Sequence, residues 1–526
     1  MSLPVHVIGG GAGLPPGGVE AVGGKAFYLA RMADAGLPVP PAFVLPTGWC
    51  RALRAGLAGE AAVAAALDEG IARLETATGL GFGSARRPLL VSVRSGAAVS
   101  MPGMLETVLD VGLNDAGVQG LLRLTGNPRL AWDSWRRLVQ GYAEVVQGLP
   151  ASSFDEMVAA ALTEAGVESD RDLDYRVLRG LAHAMLEQFR LLAGRPFPTE
   201  PRAQLLAAAL AVFRSWDAPK AATYRRLHGL DDAAGTAVTV QAMVFGNAGG
   251  ASGAGVGFTR DPATGMRGLY VDFVFNGQGE DVVAGRRTTD GGARLRRRLP
   301  GVHAQLEAMC GTLEGLFGDA QDFEFTLQSG TLWLLQSRSA KRTPWAALRI
   351  AVDLVEEGLL SPNQARRLLD GIDPATVLRT RFVDPGPVLA GAQVAGMGVA
   401  SGRIALDSTA AARLAATGPV ILVRQETLTE DIAGMASAAG ILTATGGRTS
   451  HAAVVARQLG RVCLVACPDL AIDLAHRTCR IGGRDFAEGD PLSLDGNAGT
   501  VHAGLLAVVA ERPERELAAI AGWQDA

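Results

Sequence analysis

Apolar and polar positions change period several times along the 526-residue chain, and each change marks a predicted element. Residues 1–20 are rich in glycine and proline and read as irregular. Gly23-Gly-Lys-Ala26 opens an apolar-periodic helix, Phe27 to Ala35, which Gly36-Leu-Pro-Val-Pro-Pro41 ends. Ala42–Leu45 reads as a short strand, 52–78 as alanine-rich helix, and Pro88–Arg94 as a buried strand ending in a charge. Residues from about 115 to 230 are mostly amphipathic helix, broken near Gly148-Leu-Pro150 and Pro196-Phe-Pro198. Thr236–Phe245 is strand-like, Gly246–Gly257 is a glycine-rich hairpin, and Tyr270–Phe275 is a further strand. Asp322–Leu327 and Thr331–Gln336 form a hairpin split by Gln-Ser-Gly. Pro344–Leu369 is helical with a break at Leu360-Ser-Pro362, and Pro385-Gly-Pro387 marks a linker. From about 388 to 505 strands and helices alternate at short intervals, which predicts a compact second α/β domain.

Composition adds bounds. The length suits three to four domains at roughly 150 residues each. A formal net charge of −4 argues against nucleic acid or an anionic membrane as a bulk partner. No apolar run approaches the ~18 residues of a membrane span, and the first residues lack a signal-peptide pattern. The five cysteines are scattered, so zinc is not expected and reduced thiols in a cytoplasmic protein are.

Chemistry concentrates in a few places. Lys25 follows two glycines at a helix start, where a lysine can reach phosphate oxygens; a surface lysine fits the pattern too. Arg94, at the end of a buried strand, must meet an anion or a carboxylate. The loop from Gly249 to Gly257 can fold amides over phosphates, though it is no Walker loop. Asp322 and Glu324 share one strand face, as do Gln336 and Arg338 on the partner strand. Magnesium with nucleotide phosphates would relieve the carboxylate repulsion; neutralisation by Arg338 would also do so. Glu280 offers a further carboxylate or a ribose contact. His451, in Thr445-Gly-Gly-Arg-Thr-Ser-His451, stands where a small-residue helix, Ala452 to Leu459, begins. That placement suits a phosphoryl carrier and a helix cap equally.

Long motifs then agree in order with one family. Leu89 to Met104, Ala131-Trp-Asp-Ser-Trp-Arg-Arg137, Val240 to Asn247, Gly257 to Gly265 and Gln278 to Gly285 resemble the nucleotide domain of pyruvate phosphate dikinase. Thr449-Ser-His451 and Glu426-Thr-Leu-Thr-Glu-Asp-Ile432 resemble its phosphohistidine domain, with Leu-Thr where Ser-Pro is usual and Arg448 where methionine is usual. The resemblance runs from about residue 20 to 505.

The resemblance implies an α/β and α+β multidomain protein. Its parts would be an ATP-grasp-like nucleotide-binding domain over 1–340 with a helical subdomain about 115–230, a helical linker over 341–387, a swivelling phosphohistidine domain over 388–510 and a tail over 511–526. By position, Lys25, Arg94, Glu280, Asp322, Glu324, Gln336 and Arg338 match the family's ATP and Mg2+ residues, with Asp322 and Glu324 on the metal. His451 matches its phosphorylated histidine, and Thr449 a site of regulatory phosphorylation in plant members. The implied chemistry is ATP-dependent phosphorylation of His451 with Arg94 and Arg338 assisting, release of AMP, and use of inorganic phosphate. The family's (β/α)8 barrel needs roughly 250 residues, so its acceptor is expected on a separate subunit. An inactive nucleotide-binding homologue and a phosphotransferase acting on another small molecule stay open, as does a homodimer.

Overall fold

A computed structural model describes residues 3–99, 101, 106–167, 169–227, 229–279, 291–427, 431–446 and 451–523. The chain is a mixed α/β protein of two compact units. One comprises Met1–Ala254 with Phe275–Gln278 and Phe323–Arg338; the other comprises Gly255–Val274, Gly279–Asp322 and Ser339–Ala526.

In the first unit, the strand Val91–Gly96 lies between Ala237–Ala242 and Thr107–Val111, antiparallel to both. Ala42–Leu45 and His6–Ile8 extend the sheet on the other side of Ala237–Ala242. The strand His6–Ile8 falls within the stretch expected to be irregular, because three residues are too few to show a period. Among the described residues, six α-helices and one 3-10 turn between Asp115 and Leu227 account for the amphipathic stretch, with Gly148 closing one of the helices in a left-handed turn. Their apolar faces and one face of the sheet form one core, with Trp135, Phe154 and Phe189 wholly buried. The stretch 52–78 is two helices, Thr47–Arg54 and Glu60–Thr78, because Gly56 and Gly59 interrupt the alanine run.

The hairpin of Gln321–Gln328 and Thr331–Ser339 turns on Ser329 and Gly330, both at positive φ (50° and 85°), as a tight two-residue turn requires.

In the second unit, four parallel strands run in the order Val399–Ala405, Val420–Arg424, Gly440–Thr443 and Val462–Val465. Gln393–Gly396 joins one edge, and Pro491–Asp495, Thr500–Ala503 and Val388–Gly391 the other, all antiparallel. Fully buried Arg260 is held bidentate by Glu314 (2.9 and 2.8 Å) and again by Glu357 at 2.8 Å. That node ties the strand Gly253–Arg260 to the helices Pro300–Phe317 and Pro344–Glu356; a buried cation needs such pairing. Within the stretch read as a tail, Glu514–Gly522 is a helix that packs with buried Trp523 against Ala347, Leu348 and Ala351. No described helix is long and apolar enough to cross a membrane.

Candidate functional site

Gly23 sets the geometry of the first unit's site. The helix Gly18–Asp34 is broken there by non-helical angles (φ 76°, ψ 157°), so its main segment restarts at Gly24-Lys25. This explains why the sequence pattern places a helix start here although helical backbone begins earlier. A Cβ on Gly23 would lie 2.3 Å from the Gly96 carbonyl oxygen, so the two backbones meet at a distance only glycine permits. The Gly24 N–H donates to the Ala97 carbonyl at 2.9 Å. The new helix start is thereby fixed to the end of the strand that carries Arg94.

Lys25, Arg94, Glu324, Gln336 and Arg338 come together. Arg94 Nη2 lies 3.5 Å from Gln336 Oε1 and 3.6 Å from Glu324 Oε2. Burial, and then the Arg94 charge, lower the Lys25 pKa to about 8; Glu324 opposes this and Arg338 adds to it. Among the described residues, Lys25, Arg94 and Arg338 thus cluster about Glu324, an arrangement suited to a polyanion. Asp322 is buried two positions before Glu324 on the same strand. Among the described residues no group of three or more His, Cys, Asp or Glu side chains is placed to hold a metal by itself. A magnesium ion shared with phosphates needs only one or two carboxylates, which this pair fits.

In the second unit, His451 opens the helix His451–Gln458, one residue before the predicted start. The helix packs Ala452, Ala453 and Ala456 into a core with Ala410, Leu422 and Ile441. It follows the strand Gly440–Thr443, so its start lies at the carboxyl end of the parallel strands, where open α/β sheets place ligands. Two loops leaving that edge are bound together: Thr445 donates its hydroxyl to the Gln425 carbonyl at 2.9 Å, and its N–H to the same oxygen at 3.0 Å. Asp431 accepts from Arg424 (3.2 Å) and from Ser408 (2.8 Å), which accounts for the acid in the Glu426–Ile432 motif. Glu280, Arg448, Thr449 and Ser450 lie outside the described residues.

Sequence reasoning missed the work of Asp133. This buried carboxylate accepts from Arg136 at 2.7 Å and from Arg137 at 3.1 Å. Against the opposing effect of burial, Arg137, Arg136 and Arg129 hold it far below the usual carboxylate range. The signal was present: an aspartate with arginines at i+3 and i+4 on an otherwise apolar helix face.

The strand Arg379–Phe382 pairs with Val508–Glu511, so both connections of the eight-stranded sheet pass through one two-stranded ribbon. Thr380 is tied to the sheet's loops. Its hydroxyl accepts from the Val399 N–H at 3.0 Å, and its carbonyl accepts from the Asn497 amide at 2.8 Å.

Comparison with known proteins agrees with both halves. Residues 57–305 match the family described as "Pyruvate phosphate dikinase, AMP/ATP-binding domain", and residues 416–499 match "PEP-utilising enzyme, mobile domain". The chain is 44% identical over 490 residues to pyruvate, phosphate dikinase of Clostridium symbiosum, covering 92% of the chain and 56% of that protein. It is 42% identical over 538 residues to the Rhizobium meliloti protein of the same name, covering 98% and 60%. With the chloroplastic enzyme 1 of Zea mays the identity is 41% over 512 residues, covering 96% and 54%. The chain therefore spans a little over half the length of these curated relatives. With two domain matches in family order, and identity sustained over nearly all of its residues, the chain belongs to the pyruvate phosphate dikinase family.

Proposed function

We propose that this chain uses ATP to phosphorylate His451, through an ATP-grasp-like nucleotide domain and a swivelling phosphohistidine domain. The convergence of Lys25, Arg94 and Arg338 on Glu324 and Gln336 carries the reading. The cations hold the triphosphate and offset charge developing in transfer, which is where most catalysis of phosphoryl transfer arises. Asp322 and Glu324 would hold magnesium, which when bound screens the phosphate oxygens. Glu280 is assigned to the nucleotide by resemblance alone.

The neutral imidazole of His451 attacks the β-phosphorus of ATP; the bond to the α-phosphate oxygen breaks and AMP leaves. Inorganic phosphate then takes the terminal phosphoryl group as pyrophosphate, and phosphohistidine remains. The family name points to pyruvate as final acceptor, and we place its site on a further domain or subunit. Carriage requires the histidine domain to move. Because Thr380 is bound to the sheet's own loops, we place the pivot before it, at 371–378, and after the ribbon at 512–513, rather than at Pro385–Pro387. The test is incubation with ATP labelled at the β-phosphate, magnesium and phosphate. Acid-labile label on the protein is expected, and its absence from the wild-type chain overturns the proposal.

Lys25 adds a pH signature. A group with pKa about 8 in the free protein, against an ordinary 10.5, is largely neutral between those values, and phosphate contact favours its charged form. ATP binding at pH 9 is therefore expected to take up a proton, and affinity to fall as pH rises above 8. Calorimetry in two buffers of different ionisation enthalpy reads this, and the uptake should vanish in Lys25→Met. Without nucleotide the sign is reversed. The unfolded chain binds this proton more readily than the folded one, so the Lys25 contribution to stability increases from pH 8 to 10.5.

A further inference from the structure

We propose that Asn247 is a positioning residue: its amide couples the glycine-rich loop to the buried aspartate–arginine cluster, and nucleotide affinity depends on that coupling. The inference rests on the first unit being a nucleotide site.

The cluster is a rigid anchor. Asp133 and Asp170 share Arg136 and Arg137, with Asp170 Oδ2 3.2 Å from each guanidinium, and Arg129 donates to the Asp170 carbonyl at 2.7 Å. Asp133 and Arg136 are almost wholly buried, so these partners cannot be exchanged for water. Asn247, also buried, donates through Nδ2 to Asp133 Oδ2 at 3.5 Å and accepts through Oδ1 from Gln278 Nε2 at 3.3 Å. Its carbonyl accepts from Asn127 Nδ2 at 3.2 Å. One side chain thus joins the helix Pro128–Gln147, the start of the glycine-rich loop and the segment that enters Gln278.

The structure places Gly253–Gly257 in the strand Gly253–Arg260, so the loop ends at Ser252, where it is fastened to the hairpin that carries Glu324, Gln336 and Arg338. The Ser329 N–H donates to Ser252 Oγ at 2.9 Å, and the Gly330 N–H to the Ala251 carbonyl at 2.8 Å. The Phe245 N–H donates to Gln328 Oε1 at 2.7 Å just before the loop. There is no slack between these points: a Cβ on Gly246 would stand 2.2 Å from the Gly277 carbonyl oxygen. Backbone amides that cradle phosphates work only when held to within about half an ångström. The relay also fixes the residue type. It needs one donor facing a carboxylate and one acceptor facing an amide; aspartate lacks the donor and alanine lacks both.

The experiment measures ATP affinity in the presence of magnesium, with melting temperature alongside, for the whole chain. The variants are Asn247→Ala, Asn247→Asp and Gln278→Met. Asn247→Asp sets a second carboxylate against Asp133 and keeps only the acceptor that faces Gln278. Each is expected to weaken ATP binding about tenfold. Should the Asn247 singles not fold, Gln278→Met breaks the same relay from its other side. Single variants that melt lower yet bind ATP as wild type does give Asn247 a structural role only and overturn the proposal. A wild-type chain that binds no ATP overturns the nucleotide-site reading itself, and this inference with it.

Discussion

His451→Ala is expected to abolish acid-labile labelling by β-labelled ATP, a loss of at least about a thousandfold, while leaving ATP affinity unchanged. Removing the nucleophile of a covalent mechanism deletes the intermediate outright, whereas Lys25, Arg94, Glu324, Gln336 and Arg338 lie in the other unit and keep their places. Four of the other described histidines bear on this choice. His502 is buried with Nε2 against Thr500 Oγ1 at 2.8 Å and Nδ1 against the Pro387 carbonyl at 3.1 Å, so neither nitrogen is available to attack. His183 packs its ring against Trp132, and His303 is largely buried on a helix beside Glu307. His183 and His476 are both exposed; His476 lies on a hairpin turn with Nδ1 2.7 Å from Asp473. Labelling that persists in His451→Ala and disappears in His476→Ala would move the carrier to the hairpin. Persistence in both would sink the histidine mechanism at this end of the chain.

The local parts of this site were legible in the sequence, and the joints between distant parts were not. The hairpin bearing Glu324, Gln336 and Arg338 announced itself because alternation and a Ser-Gly turn are properties of a dozen neighbouring residues. Lys25 was found from its two glycines, but the reason for Gly23 lies at Gly96, more than seventy residues away, and a close backbone approach leaves no periodic trace. The pairing of Arg379–Phe382 with Val508–Glu511 went unread for the same cause, since four-residue strands declare no partner. Asp133 failed differently. Its spacing to Arg136 and Arg137 was visible, yet only burial turns an ordinary helical ion pair into an anchor.

Gly23→Ala is the second large effect expected, a loss of ATP affinity of about a hundredfold, with Gly24→Ala close to wild type. The two positions adjoin, so composition and helix propensity cannot separate them, but geometry does. At Gly23 a methyl group would meet the Gly96 carbonyl oxygen at 2.3 Å and its carbon at 2.5 Å; both are backbone atoms and cannot rotate away. The angles there also belong to a region nearly closed to other residues, at a cost of about 1–3 kcal/mol. At Gly24 the nearest atom is 3.7 Å away, an ordinary contact. The alanine at 23 must therefore push the helix start off the strand end, and Lys25 moves with it, away from Arg94. Losing a charged contact to phosphate costs about 1.5–3 kcal/mol, roughly ten- to a hundredfold in affinity. The strain should lower the melting temperature by only a few degrees. Calorimetric titration with ATP and magnesium, beside a thermal melt, distinguishes the outcomes. If Gly23→Ala binds ATP within threefold of wild type, the contact with Gly96 does not place Lys25. If Gly24→Ala loses as much as Gly23→Ala, the loss comes from stiffening the glycine pair rather than from the backbone approach.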